Sequence, residues 1–160
     1  MIRLQFSTQR GLSSALIRWF GHLGPFTHVD AIMRDTGPRQ GWLLGARWRG
    51  PYGRGVQIRP PDYAVFSRRL VVDIPVPWPR EQWFYRYLRD QLGKPYDISA
   101  ILGFASGRDW RADDSWFCSE LIAAALEAAG VFARPLCCQV NKIDPDDLLL
   151  ALSMLVPIAA

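Results

Sequence analysis

Long apolar runs, lysine and histidine are what this 160-residue chain has least of. No stretch reaches the roughly 18 apolar residues that mark a membrane-spanning helix. The run from Leu148 to Ala160 is shorter, and Pro157 interrupts it. Met1-Ile2-Arg3-Leu4-Gln5-Phe6-Ser7 has no apolar core of the kind a signal peptide needs, so a cytoplasmic protein is expected. A phage or prophage origin is the alternative setting, in which lysis or tail assembly would deliver such a protein to a cell wall. Three cysteines without an export signal exclude a disulfide scaffold and fit a reducing compartment. The cysteines and the two histidines, His22 and His28, show no C-x2-C or H-x3-H spacing. The adjacent pair Cys137-Cys138 would seldom point both thiols at one ion, so no metal and no cofactor are expected. No internal repeat and no low-complexity linker is present, which leaves one domain over residues 1–160.

Lysine is nearly absent: 2 against 17 arginines. Residues 34–94 hold 12 Lys or Arg and 5 Asp or Glu, a balance of +7, and the remainder holds 7 and 10, a balance of −3, giving the net +4. A basic middle suits an anionic substrate, lipid headgroups or nucleic acid. The basic residues form no tight cluster and match no nucleic-acid motif, so they read as solvated strands and loops, and no nucleic-acid partner is expected. Nothing in the pattern specifies an oligomeric state.

Periodicity and punctuation divide the chain. Leu12, Ala15, Leu16 and Trp19 recur at helical spacing behind Ser13, predicting a short helix to about Phe20. Strands are expected over Thr27 to Arg34, Trp42 to Trp48, Val56 to Arg59 and Arg69 to Pro75. Pro79 to Leu92 reads as a helix with Phe84, Tyr87, Leu88 and Gln91 or Leu92 inward, ended by Gly93. A second helix follows Asp113-Asp114-Ser115, runs through Leu121 to Leu126 and stops at Gly130. The last begins at Asp144, with Pro145 in its first turn and Asp147 at the capping-box position. The fold class is α+β: helices at both ends and a small, mostly antiparallel sheet between them.

Cys118 carries the chemistry of this pattern. It opens an apolar helix in Trp116-Phe117-Cys118-Ser119-Glu120-Leu121. A thiol there feels the positive end of the helix dipole, which favours thiolate, the nucleophilic form. Its natural base is a histidine on a distant strand. Alternation over Phe26 to Met33 puts His28, Asp30 and Ile32 on one face and the apolar Val29, Ala31 and Met33 on the other. His22 lies in a Gly-flanked turn, and only His28 is held by regular structure. An ordinary buried cysteine and a structural histidine are the plainer alternatives.

Leu92-Gly93-Lys94-Pro95-Tyr96, followed by Trp116-Phe117-Cys118-Ser119-Glu120-Leu121, resembles the nucleophile half of the NlpC/P60 cysteine peptidases. In that family the histidine strand follows the cysteine; here Thr27-His28-Val29 precedes it. That order resembles the circularly permuted, YiiX-like branch, related to the lecithin–retinol acyltransferase group. Ile17-Arg18-Trp19-Phe20, Leu44-Gly45-Ala46 and Ile143-Asp144-Pro145-Asp146-Asp147-Leu148 resemble further segments of it. The resemblance implies a papain-like fold and a cysteine hydrolase, with Cys118 attacking the carbonyl of an amide or ester, His28 taking its proton and Tyr96 supporting the thiol. The implied partner is a peptide, amide or acyl substrate. A lipid acyl substrate would suit Trp42, Trp48 and Trp110 if these are exposed.

Two departures stand out. The strand after the histidine usually supplies a polar residue that orients the imidazole, and the matching position here is Gly45. Asp30, on the face of His28, is the expected substitute, with Gln57 as the alternative. Phe117 stands where the family has Asp, and Glu120, about 200° around the helix from Cys118, reads as a structural or capping carboxylate rather than a catalytic acid. The competing class is a catalytically incomplete papain-like binding module, which the glycine favours.

Overall fold

The computed structural model describes residues 1–9, 24–34, 37–48, 52–97, 115–132, 136 and 143–157. The expected helix over residues 13–20, His22, Trp110 and Cys137-Cys138 lie outside the described residues. The elements run β1 (Ile2–Gln9), β2 (His28–Ile32), β3 (Leu43–Arg47), β4 (Gly55–Arg59), β5 (Phe66–Ile74), α1 (Trp78–Asp90), α2 (Cys118–Ala128) and α3 (Pro145–Ser153). The strands form one antiparallel sheet in the order β4-β3-β2-β1-β5. This is the α+β class read from the sequence.

An interior strand of the sheet, β1, is absent from the sequence expectation. β1 lies between β2 and β5, with Leu4 opposite both Ala31 and Val72. Its signal is the alternation of Ile2, Leu4 and Phe6 with Arg3, Gln5 and Ser7, a period of two that buries one side. The register makes the sheet two-faced. Ile2, Leu4, Phe6, Val29, Ala31, Leu44, Ala46, Val56, Val72 and Ile74 fall on one face and are buried in the core with Phe84, Leu88, Leu121, Ile122, Leu126, Leu148 and Leu152 of the helices. The opposite face carries Gln5, Ser7, His28, Asp30 and Arg59, all buried as well.

Helix ends follow local chemistry. In α3 the Asp147 amide donates to Asp144 Oδ1 at 2.7 Å, and the Asp144 amide donates back to Asp147 Oδ2 at 3.3 Å, the expected reciprocal cap. α2 stops at Gly130 (φ 63°), whose amide reaches Glu127 O while that of Val131 reaches Leu126 O, a Schellman ending. α1 turns inward Glu81, Phe84, Tyr85 and Leu88. Tyr85 replaces Tyr87 of the sequence expectation because its hydroxyl donates to Ile32 O at 2.7 Å, while Tyr87 is half-buried against the Trp116 ring. Leu92 lies beyond the helix end and is exposed.

The Gly93-Lys94-Pro95-Tyr96 segment is laid along β4. The Val56 amide donates to Lys94 O at 2.9 Å and the Gly93 amide to Val56 O at 3.0 Å. Trp116 then bridges Tyr96, its amide donating to Pro95 O. Thus the strand edge fixes the approach to α2. Gly55 makes this contact possible: its φ is +82°, and a Cβ there would lie 2.1 Å from Lys94 O, a backbone atom that cannot rotate away. We expect Gly55→Ala to cost about 2–3 kcal/mol, from backbone strain and the clash together, measured as a lowered denaturant midpoint at unchanged m. An unchanged midpoint would show that the segment does not rest on β4.

Candidate active site

Cys118 is the first residue of α2 and is fully buried. The cap differs from the expected Asp113-Asp114-Ser115 cluster. Phe117 is the N-cap, with no side-chain acceptor of its own, and the Phe117 amide donates to Glu120 Oε2 at 3.1 Å. Glu120 is therefore the capping carboxylate read from the sequence. Ser119, buried beside it, donates from Oγ to Ile143 O at 2.6 Å and ties α2 to the segment before α3.

His28 opens β2 and is almost fully buried. Its Nε2 lies 3.0 Å from Asp30 Oδ2. The ring N–H does not point along that line, so the atom has ion-pair proximity without an aligned hydrogen bond. Cys118 lies near enough to the same ring to help raise its pKa. Burial pulls the imidazole pKa down, but the Asp30 carboxylate, and after it Cys118, outweigh burial and push it up to about 9.

Asp30 has no exposed surface. Burial pushes its carboxyl up, yet the charge of His28 first, then the Arg59 charge and the Tyr63 hydroxyl, hold it below the usual carboxylate range. Tyr63 Oη donates to Asp30 Oδ2 at 2.8 Å. Arg59 is itself fixed, Nη1 donating to Gly45 O at 2.9 Å and Nη2 to Gly55 O at 2.8 Å. Burial followed by the Asp30 charge keeps the Tyr63 hydroxyl far above its ordinary range, so it stays a donor.

Gly45 acquires a different meaning here. One step along the β2–β3 register from Ala31 and Leu44 places it beside Asp30. A Cβ on Gly45 would sit 2.1 Å from Asp30 Oδ1. The glycine is the space that the Asp30 carboxylate occupies. The polar residue has moved from β3 to β2, and the neighbouring strand has given up its side chain to admit it.

Gln57 is not brought to the imidazole. It pairs with Gly45 across β3 and β4, but its Nε2 donates to Arg54 O at 3.0 Å, over the turn at Gly53. Tyr96 is brought close. It is half-buried, its ring lies 5.7 Å from that of Phe117, and burial first, then the Cys118 charge, push its hydroxyl well above the ordinary value. Trp42 and Trp48 are half-buried, contrary to the exposure that a lipid substrate would favour. Two site residues were missed in the sequence, Tyr63 and Arg59. Their only local signal was position, at and just after the end of β4. The polar face also holds buried atoms without a partner, Gln5 Nε2, Ser7 Oγ, Asp30 Oδ1 and Arg59 Nε, so hydrogen-bonding capacity remains beside the pair.

Comparison with known proteins places the fold. No family profile matches the chain, and no curated protein matches it. Among solved structures it is similar to the metalloprotein YiiX from Escherichia coli O157:H7, with a TM-score of 0.60 and 20% identity over 82% of this chain. The match spans 66% of that protein, so the chain corresponds to part of it. The arrangement is thus a YiiX-like α+β fold. The word metalloprotein describes that neighbour. Here no group of three or more His, Cys, Asp or Glu is placed to hold a metal among the described residues. No helix among the described residues is long and apolar enough to cross a membrane.

Two outcomes follow from this geometry. Gly45→Ala should destabilise by about 1–3 kcal/mol as an overpacked core position, and Asp30→Ala in the same chain should remove most of that cost, a coupling read by a double-mutant cycle. Additive effects would place the carboxylate elsewhere. The second concerns pH. His28 has a raised pKa in the fold, so its stabilisation is complete below about 6.5 and is lost as pH rises through about 9. Asp30 has a lowered pKa, so its share is present above the ordinary carboxylate range and lost in acid. The melting temperature should fall as pH rises from about 6.5 to about 9 in the native chain, and this fall should be absent in His28→Gln.

Proposed function

We propose that this protein is a cysteine hydrolase of the permuted NlpC/P60 kind, one papain-like domain acting on an amide or ester bond. The observation that carries the reading is the buried imidazole 3.0 Å from the Asp30 carboxylate, which balances its charge, and near enough to Cys118 for that residue to help raise its pKa. A cationic imidazole beside a sulfur at a helix N-terminus is the setting in which a cysteine acts as a nucleophile.

In the proposed reaction the Cys118 sulfur attacks the substrate carbonyl carbon. The oxyanion lies at the start of α2, where the amides of Cys118 and its neighbours face outward from the helix end. As the tetrahedral intermediate collapses, His28 gives its proton to the departing amine or alcohol, leaving an acyl-enzyme thioester. Water then attacks the thioester while His28 takes its proton, and Cys118 is released with the acid product. Asp30 orients the ring and stabilises its cationic form, and Tyr96 packs the Phe117 side of the thiol. The reaction needs no cofactor. The proposed substrate is a peptide, amide or acyl group, in a cytoplasmic or phage-associated setting.

A second reading has one specific observation in its favour. Cys118 has no exposed surface, so a substrate reaches it only if its surroundings move. In that reading the scaffold binds a partner and the thiol packs the core. Reaction with iodoacetamide separates the two. A working site should be alkylated at Cys118 at pH 6–7, at least about tenfold faster than an ordinary thiol, and His28→Gln should remove that advantage. Cys118→Ala should abolish hydrolysis of an ester or amide library hit with a melting temperature within a few degrees of the native chain, and Cys137→Ala should leave turnover intact. Modification of Cys118 only upon unfolding would support the binding module.

A further inference from the structure

Asp30 Oδ2 serves two groups at once. It lies 3.0 Å from His28 Nε2 and accepts the Tyr63 hydroxyl at 2.8 Å. Tyr63 is itself held on every side. Its ring packs edge-on against Phe66 at 5.3 Å, and the Arg47 guanidinium lies 4.6 Å from its centroid, with Arg59 on the ring at 5.8 Å. Its backbone closes a turn onto Pro60 O directly after β4, in Pro60-Pro61-Asp62-Tyr63, where two prolines restrict the chain. Arg59, which is almost fully buried, is clamped to the carbonyls of Gly45 and Gly55. Gly45 leaves room on the Oδ1 side, and the recorded contacts that hold the carboxylate are made at Oδ2.

We propose that Tyr63 is a positioning residue for the His28 imidazole, acting through Asp30, and that Arg59 anchors the arrangement by supplying charge to Asp30 from a fixed point on β3 and β4. This deepens the hydrolase reading, since it assigns Tyr63 and Arg59 to the same site. The reason is physical. A short carboxylate in a strand reaches a neighbour two residues away only by leaning along the strand, since those Cα atoms lie about 6.5–7 Å apart. A buried rotamer that leans needs a partner to hold it, and the Tyr63 hydroxyl is placed to do so. The charged and titratable groups around the pair are Asp30 and Cys118 on His28, Arg59 and Tyr63 on Asp30, and Arg47, which acts on Tyr63, Arg59 and Tyr96.

Tyr63→Phe removes one oxygen and keeps the ring, so the test reads His28 directly by imidazole NMR titration, with His22→Gln used to assign the signals. The expected result is a fall of about one unit in the His28 pKa, because the carboxylate loses its fixed position. Iodoacetamide labelling of Cys118 at pH 7 should slow by about tenfold in parallel. Arg59→Lys keeps the charge and loses the double clamp, and should lower the His28 pKa by a smaller amount. A purely structural tyrosine would lower the melting temperature and leave the His28 titration where it is, which overturns the proposal. A rise in the His28 pKa overturns it too, since that would mean the hydroxyl only drains charge from Oδ2. These readouts need no substrate. A His28 shift in a protein that hydrolyses nothing would sink the hydrolase reading alone, and turnover with an unmoved His28 would sink the positioning role alone.

Discussion

A carboxylate with no exposed surface is the constraint around which this structure is organised. Moving a bare carboxylate out of water costs many kcal/mol, so Asp30 persists in ionised form only because groups of the opposite sense converge on it. His28 meets it from the same strand, Tyr63 from the turn after β4, and Arg59 from β4 itself. Gly45 supplies the volume. Remove any one and the charge is left underpaired in a dry interior, which destabilises more than the lost contact alone suggests. The same pairing keeps His28 cationic across the neutral range.

The sheet separates two tasks by its faces. One face is apolar and shares one core with residues of α1, α2 and α3, which holds the protein together. The other concentrates polar groups that would be costly in the core. Cys118 belongs to the helical layer, and His28 to the polar face at the start of β2. They meet because the segment laid along β4 delivers the chain through Tyr96 and Trp116 to the first turn of α2. Placement of the thiol is therefore a property of strand edge and helix start together, and Gly55 guards it by letting the two backbones approach. Arginine is also chemically suited to this face. A lysine could not bridge two carbonyls from one planar head as Arg59 does, nor stack on Tyr63 as Arg47 does.

Similarity to the YiiX structure at 20% identity concerns the fold and leaves the chemistry to the site. The features that argue for a thiol hydrolase are contacts among Cys118, His28 and Asp30. The feature that argues against free access is the burial of the sulfur. Both are properties of side-chain packing, and neither is encoded by the path of the chain.

Sequence alone determined what depends on neighbours a few positions apart. Asp144 and Asp147 cap α3 because a side chain three residues away reaches the open amides, and Gly130 ends α2 because only glycine enters the left-handed region freely. Alternation placed His28 and Asp30 on one face, and the apolar run after Cys118 marked it as a helix start. The alternation of Ile2, Leu4 and Phe6 was equally legible, though it was passed over. Tertiary structure decided the rest. Gly45 reads in sequence as a missing residue, and only the β2–β3 register turns it into room for Asp30. Gln57 shares the right face, yet its amide is captured by Arg54 O. Tyr63, 33 positions from Asp30, carries no motif at all. Periodicity says which way a side chain points; which atom waits there is set by strand register and turn closure, and these join parts of the chain that no local pattern connects.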